Sequence, residues 1–436
     1  MVRMYMVWVY IICGLYGLTS CTSAKHFSGV DKKWREIDKM FQDSFGRGDL
    51  HSGFALYDAE TMEMLYGYQP NHRLLPASNT KILTCYAALE YLPENLHGLQ
   101  YFKMDDSTYV RGMGDPGFMC DDEKEDVIME FLEEQNHIQY VRGPSGLKRW
   151  GPGWSWDDYP YYYSAERAIW PIQCNLTSWN NDNALNHNFI FNYINSGGKG
   201  INRLEDENIY NVYSPDKGQI SDRKIPFKWD EDLLLSVLKQ KLGQNLLAGS
   251  VSEADWMVSK WNILPGSNRD SVVKKMMKVS DNFLAEQLLI NISAGWGNME
   301  TGYEAIGRIL DSEWSSWKGK IRWVDGSGLS RYNLMSPNFF CFVLGQLYQN
   351  HNNDGLFKVF PVVDLNKYDP AAVVDENSIT VYAKTGSMSG VFCLSGYILT
   401  QGGHKYIFSF MNNNFIGSST DIKRSMAQIL SKIARH

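Results

Sequence analysis

At roughly 150 residues per domain, a chain of 436 residues has room for two or three domains. Its 44% hydrophobic and 21% charged residues suit globular units with real cores. A net charge of -7 argues against nucleic-acid binding, which wants clustered Lys and Arg, while 14% aromatics favour contact surfaces for sugars, peptides or partner protein.

The first stretch reads as an address. Arg3 precedes an apolar run from Met4 to Leu18, short for a bilayer-spanning helix, which needs about 20 residues, and suited to a signal-peptide core. Residues 1–20 are expected to be a signal and the chain to be exported. Thr19-Ser20-Cys21 resembles the lipobox of bacterial lipoproteins, in which the cysteine is lipidated and becomes the new N-terminus; ordinary cleavage near Ser23-Ala24 is the alternative. An acyl anchor on Cys21 holds a protein on a membrane without spanning it. Cys85, Cys341 and Cys393 lie in apolar runs and read as small core residues. Nothing in the spacing decides whether Cys120 and Cys174 pair. The nine histidines show no His-x-x-x-His or His/Glu zinc spacing, which counts against a metallopeptidase; no metal or cofactor is expected.

Asp31–Phe45 reads as an amphipathic helix, with Trp34, Ile37, Met40, Phe41 and Phe45 at helical spacing. Phe54–Asp58 and Met62–Tyr66 read as strands around the turn Ala59-Glu60-Thr61. Pro76-Ala77-Ser78-Asn79-Thr80-Lys81 then sets a serine and a lysine three residues apart, at the start of a helix that runs through Ile82, Cys85, Tyr86 and Leu89 and stops at Pro93. At 3.6 residues per turn the two share a face, so the amine can reach the hydroxyl and take its proton. Alone the pair is common, and its bland reading is an N-capping serine beside a solvated lysine.

After the turn Gly114-Asp115-Pro116 the texture changes. From about Gly117 to Ser250 there is one helix, Asp122–Gln135, with short strands and long polar loops. Trp150–Trp170 includes Trp154-Ser155-Trp156-Asp157-Asp158-Tyr159-Pro160-Tyr161-Tyr162-Tyr163, an aromatic cluster beside two acids that reads equally as a domain interface or a substrate wall. A helix over Asp230–Leu242 closes the region, which reads as a β-rich accessory insert spanning 117–264. Helical periodicity returns at Asp270 and leads into Ser280-Asp281-Asn282; a further helix is expected over Gly302–Ser312 and another over Pro337–Tyr348. Between them Asp325–Asn333 is too rich in Gly and Ser for regular structure. Ile379–Lys384, Val391–Leu399 and Lys405–Met411 read as a β-meander, and Ile422, Met426, Ile429, Leu430 and Ile433 as a closing helix with Ser419 or Thr420 as N-cap. Strands from both chain ends are expected to form one antiparallel sheet covered by helices, an α/β (α+β) body over 21–116 and 265–436 that the insert splits.

Ser78-x-x-Lys81, Ser280-Asp281-Asn282 and Lys384-Thr385-Gly386 occur in one order, the serine acyl-transferase signature of penicillin-binding proteins and related β-lactamases. The chemistry is coherent: Ser78 attacks a carbonyl, Lys81 takes and returns the proton, Ser280 relays it to the leaving amine, and Asn282 holds Lys81 and the substrate amide. Lys384 and Thr385 offer charge and a hydroxyl to a substrate carboxylate. The N–H groups of Ser78 and Ser387 would form an oxyanion hole, and an edge strand carrying Lys384–Ser387 would pair with the substrate backbone. The Lys384 charge is expected to help lower the pKa of Lys81.

With Gly114-Asp115-Pro116, Pro152-Gly153-Trp154-Ser155-Trp156-Asp157-Asp158 and Asp325-Gly326-Ser327-Gly328-Leu329-Ser330-Arg331, the three motifs closely resemble the class C low-molecular-mass penicillin-binding proteins, the type-4 D-alanyl-D-alanine carboxypeptidase/endopeptidase family. The resemblance implies a transpeptidase/β-lactamase-like domain with a five-stranded antiparallel sheet, a periplasmic enzyme acting on peptidoglycan stem peptides, and acylation by β-lactam antibiotics. It also implies a pocket for the free end of a diaminopimelate side chain, placed by position at Asp158, Tyr163 and Arg331. Two alternatives stand beside it. A β-lactamase-like hydrolase would need a Glu-x-x-Leu-Asn loop, to which Glu286–Asn291 is a poor match in spacing; a catalytically idle peptidoglycan-binding lipoprotein would be expected to lose a motif residue, and none is lost.

Overall fold

The structure, a computed structural model, describes residues 32–435 apart from 47, 49, 121–125, 143–145, 179–188, 195–199, 214–223, 248–259, 298–300, 352 and 371–378. The expected signal and Cys21 lie outside the described residues.

Both ends of the chain build the main sheet. Its antiparallel order is Ile379–Met388, Val391–Thr400, Lys405–Asn413, His51–Asp58 and Met64–Tyr68. Strand period decides what each face meets. On Lys405–Asn413 the side chains of Phe408 and Phe410 join Phe54, Leu56 and Phe41 under the helices Arg35–Phe45 and Thr420–Ile433, whereas Ile407 and Met411 join the larger helical core on the opposite face. Cys85, Cys341 and Cys393 are buried in that larger core as free thiols.

The second strand starts two residues later than expected because Asp58 Oδ1 accepts from the Glu60 and Thr61 backbones and Met62 takes a left-handed φ of 57°, which lengthens the turn. The helix expected over Asp122–Gln135 is described as Val127–Glu133; Asp126 caps it, accepting from Ile128 and Met129 N–H. Ser419 holds the N-cap position of the last helix without a side-chain cap bond.

The helix Asn282–Gly295 runs through the middle of the molecule and is buried almost all round, as its mostly apolar sequence requires. Its few polar residues tie the accessory segment down. Gln287 Nε2 donates to Ala168 O (2.8 Å) and Gly114 O (3.2 Å), and Asn291 Nδ2 donates to His97 O (2.8 Å) and Met113 O (2.9 Å). The accessory unit holds a mixed sheet in the order Leu246–Leu247, His137–Tyr140, Ser107–Gly112, Asn95–Met104 and Asn262–Asn268, around a core that includes Leu99, Val110, Trp170, Phe227 and Leu234. Asn95–Met104 and Ser107–Gly112 precede residue 117, yet their sheet partners come from the insert and its exit. A small sheet of Ile190–Ile194, Ile209–Tyr213 and Gly200–Arg203 completes the unit, and Cys120 and Cys174 are joined in a disulfide with Cα atoms 5.2 Å apart.

Candidate active site

The serine sits in a tight 3-10 turn, Ala77–Thr80, that opens the helix Lys81–Tyr91. Ala77 has φ 47°, a left-handed conformation that strains any residue but glycine, and its neighbours hold it there. Thr80 Oγ1 donates to Ala77 O (2.9 Å), Asn79 Nδ2 donates to Ser395 Oγ (2.6 Å) on the middle of the sheet, and Leu75 N–H donates to Asn413 Oδ1 (2.6 Å). Two glycines let other segments close on this turn. A Cβ on Gly386 would run into Pro76 O and lie 2.9 Å from Asn79 N; one on Gly328, whose φ is +85°, would run into Ala77 O. Gly386→Ala is accordingly expected to push the edge strand off the serine turn and slow acylation of Ser78 at least tenfold without changing the circular dichroism spectrum; stopped-flow acylation by a chromogenic β-lactam checks it.

Lys81 is completely buried, which disposes of the solvated-lysine reading. Its ammonium has three donors, and three acceptors surround it: Ser78 Oγ at 3.1 Å, Asn282 Oδ1 at 2.5 Å and Ser327 O at 2.6 Å. Burial pushes its pKa down to about 8, against the pull of the Asp325, Asp281 and Glu286 carboxylates. Lys384 Nζ donates to Ser280 Oγ (2.9 Å) and Thr385 O (2.8 Å); burial first, and the Lys81 charge second, hold it well below the ordinary lysine value. Burial is therefore the main cause of the low Lys81 pKa, and the Lys81–Lys384 repulsion, which is mutual, disfavours two charged amines side by side.

Ser280-Asp281-Asn282 is the joint between two helices. Ser280 ends Arg269–Val279 in a left-handed conformation (φ 59°, ψ 40°), and Asp281 caps the next helix by accepting from Leu284 N–H at 3.0 Å. The joint brings Ser280 to Lys384 while Asn282 faces Lys81. Asn282 Nδ2 donates to Tyr163 O (2.8 Å), so it is the backbone of Tyr163 that touches the Ser78–Lys81–Asn282 cluster. The phenol of Tyr163 donates to Asp158 Oδ1 (2.9 Å) and is held above its ordinary pKa by burial and by that carboxylate.

A cleft of about 870 Å³ opens over the serine, lined by Ser78, Ser280, Asn282 and Ser387 together with Asp158, Tyr163 and Arg331. All three residues assigned by resemblance to a side-chain pocket thus share the serine's cleft. Asp157 lines it too, and Thr385 and Gly386 continue the edge strand behind it. From the aromatic cluster, Tyr162 and Tyr163 line the cleft, while Trp154 Nε1 donates to Asp325 Oδ2 (2.9 Å) in the Gly/Ser loop.

Sequence reasoning missed two carboxylates. Asp325 accepts from Trp154, Ser327 Oγ, Gly328 N–H, Ser330 N–H (2.7 Å) and Asn333 Nδ2 (2.6 Å), and the whole Gly/Ser loop is wound around it. Glu286 lies one turn after Asn282 and accepts from Gly326 N–H (3.0 Å) and Ser327 N–H (2.8 Å). The available signals were an acid opening a run of backbone donors, and a lone acid in an apolar helix. Among the described residues no cluster of His, Cys, Asp or Glu is arranged to hold a metal ion, and no helix is long and apolar enough to cross a membrane.

A family profile described as D-Ala-D-Ala carboxypeptidase 3 (S13) matches residues 34–185 and 231–434. A D-alanyl-D-alanine carboxypeptidase of Actinomadura sp. (strain R39) is 25% identical over 471 aligned positions, covering 92% of this chain and 85% of that protein. The D-alanyl-D-alanine carboxypeptidase DacB of Haemophilus influenzae is 30% identical over 166 positions, 36% of this chain and only 34% of that protein's length. Among solved structures, penicillin-binding protein 4 (dacB) of Haemophilus influenzae superposes with a TM-score of 0.67 at 17% identity, over 91% of this chain and 99% of that one; its fold is the fold described above. A second structure of that protein, complexed with a novel β-lactam, superposes with a TM-score of 0.62 at 16% identity, over 92% of this chain and 100% of that one.

Proposed function

Since the chain belongs to the D-Ala-D-Ala carboxypeptidase 3 (S13) family of serine peptidases, we propose that it cleaves the bond between D-amino acids in peptidoglycan stem peptides through an acyl-enzyme on Ser78. Carboxypeptidase action on D-Ala-D-Ala ends and endopeptidase action on D-centred cross-links use the same steps. Neutral Lys81 takes the Ser78 proton as Oγ attacks the carbonyl, and the N–H groups of Ser78 and Ser387 receive the oxyanion. Ser280, in contact with Lys384, passes a proton to the leaving amine; Asn282 keeps Lys81 and the substrate amide in line. Water then attacks the ester and the same groups act in reverse. Lys384 and Thr385 receive the terminal carboxylate, while Gly386 and Ser387 pair with the substrate backbone. Asp158, Tyr163 and Arg331 receive the zwitterionic end of a diaminopimelate side chain, each charge finding its opposite. β-Lactams, attacked by the same serine, acylate and block it.

The observation that carries this reading is a fully buried lysine, lowered to about 8, with its amine 3.1 Å from the Ser78 hydroxyl. In the same reading residues 1–20 are a signal, Cys21 carries the lipid that anchors the protein in the periplasm, and the 117–264 insert belongs to the accessory unit that shapes the cleft. Purified protein incubated with muropeptides is expected to release D-Ala from pentapeptides or to split cross-linked dimers, and Ser78→Ala is expected to do neither. No product from the wild type refutes the activity; equal product from the variant refutes the nucleophile.

A further inference from the structure

Glu286 has no part in the steps above, does not line the cleft, and yet is among the most completely buried charges in the molecule. Its position on the central helix, four residues after Asn282, puts both on one face. Asn282 reaches the Lys81 amine directly. Glu286 reaches it through one residue: Ser327 N–H donates to Glu286 Oε1 at 2.8 Å while Ser327 O accepts from Lys81 Nζ at 2.6 Å. Gly326 N–H shares the same carboxylate oxygen, and the loop comes this close because residue 326 has no Cβ, which would sit 2.6 Å from Ala285 O.

The other oxygen, Oε2, faces the accessory unit. Tyr303 Oη donates to it at 2.9 Å, and Arg167 Nε lies 3.6 Å away. That is an ion-pair distance beyond hydrogen-bonding range, and Arg167 Nε has no hydrogen-bond partner. The guanidinium is fixed instead by Thr301 O (2.6 Å) and by the Tyr303 ring 3.9 Å beneath it. Arg167 lies four residues after Tyr163, which lines the cleft. Its backbone neighbour Ala168 is held by Gln287, the residue after Glu286. A chain of contacts therefore runs from the cleft wall through Arg167 and Glu286 to the Ser327 peptide and the lysine.

We propose that Glu286 is a positioning residue that holds the Ser327 carbonyl against the Lys81 amine, and that Arg167, supplied by the accessory unit, holds the Glu286 carboxylate in place. Placement of the insert is thereby coupled to the readiness of the base. The inference rests on the proposed function, since it assigns Lys81 the role of base. Lys81 is faced by Asp281 and Glu286 from the central helix and its cap, by Asp325 from the loop and by Lys384 from the edge strand. The carboxylates favour its protonated form, so removing one charge eases loss of the proton.

The test is the pH dependence of Ser78 acylation by a chromogenic β-lactam, measured by stopped flow on the full chain. Glu286→Gln is expected to slow acylation about tenfold at neutral pH and to move the acid limb of the profile at least half a pH unit downward. Its NH2 takes the place of the oxygen that accepts either from Gly326 and Ser327 N–H or from Tyr303 Oη, and so loosens the clamp on Ser327. Arg167→Met should move the limb in the same direction, since a buried carboxylate without its cation protonates, and the double variant should match Glu286→Gln rather than add to it. Tyr303→Phe, which removes one hydroxyl, keeps the test open if the charge variants fail to fold; it should shift the limb the same way by less. A limb that stays in place in the folded variants, whatever their melting temperatures, reduces Glu286 to a structural residue and overturns the inference while leaving the proposed function intact. Absence of acylation in the wild type overturns both.

Discussion

Replacing Lys81 with methionine is expected to slow acylation of Ser78 by about 10³-fold, within the range of 10²–10⁴ that a positioned general base contributes. Its effect on stability should depend on pH. Burial lowers the folded-state pKa of Lys81 from 10.5 to about 8, so between those values the unfolded chain binds more protons. Stability of the wild type therefore rises with pH through that window, and below it the buried ammonium costs about 3 kcal/mol. Methionine removes that cost but leaves Asn282 Oδ1 and Ser327 O without their donor, which returns about 1–3 kcal/mol for each of the two. The variant should thus melt close to the wild type at pH 7 and clearly lower at pH 10.5. Thermal scans at both pH values, paired with acylation rates, check the prediction; a variant that acylates at the wild-type rate removes Lys81 from the mechanism.

Asp325→Asn is expected to be the most damaging isosteric change in the catalytic body. Both oxygens of Asp325 receive donors, with Gly328 N–H and Asn333 Nδ2 on one and Trp154 Nε1, Ser327 Oγ and Ser330 N–H on the other. An amide offers its NH2 where one set of these donors points, so at least two buried donors lose their acceptor. At about 1–3 kcal/mol each, the loss is roughly 3 kcal/mol or more. Because Ser327 supplies a ligand to Lys81, acylation should fall at least a hundredfold even in the fraction that stays folded. Chemical denaturation and single-turnover acylation measure the two effects separately. A loss below about 1 kcal/mol would show that the loop is held by something other than this carboxylate.

What was legible in the sequence shares a physical cause. Ser78 and Lys81, Ser280 and Asn282, and Lys384 to Ser387 are each fixed by local spacing, on one turn, one joint and one strand, so short motifs reveal them. The strands Val391–Thr400 and Lys405–Asn413 were legible as β-rich runs bounded by Gly-containing turns, continuous because both of their faces are buried against helices. The remainder depends on partners distant in sequence. Nothing local says that Asn95–Met104 pairs with Asn262–Asn268, or that a lone glutamate in an apolar helix meets an arginine from the accessory unit. Tyr163 illustrates a different blindness: its link to Asn282 runs through a carbonyl, which every residue has. The left-handed conformation of Ser280 was hidden as well, because serine carries no signature for it.

The joining of both chain ends in one sheet has a consequence for the order of events during folding. Ser52 Oγ meets Asn412 Oδ1 at 2.7 Å across 360 positions of chain, and the serine turn is pinned by Ser395 and Asn413. Closing so long a loop is entropically late and slow. Ser78, the proposed nucleophile, is made early, yet the edge strand beside it, Lys384 and the clamp on its own turn arrive only when the last strands dock. On the proposed function, a nascent or C-terminally clipped chain therefore carries the serine without the groups that would activate it, and hydrolytic competence is withheld until the final strands are in place.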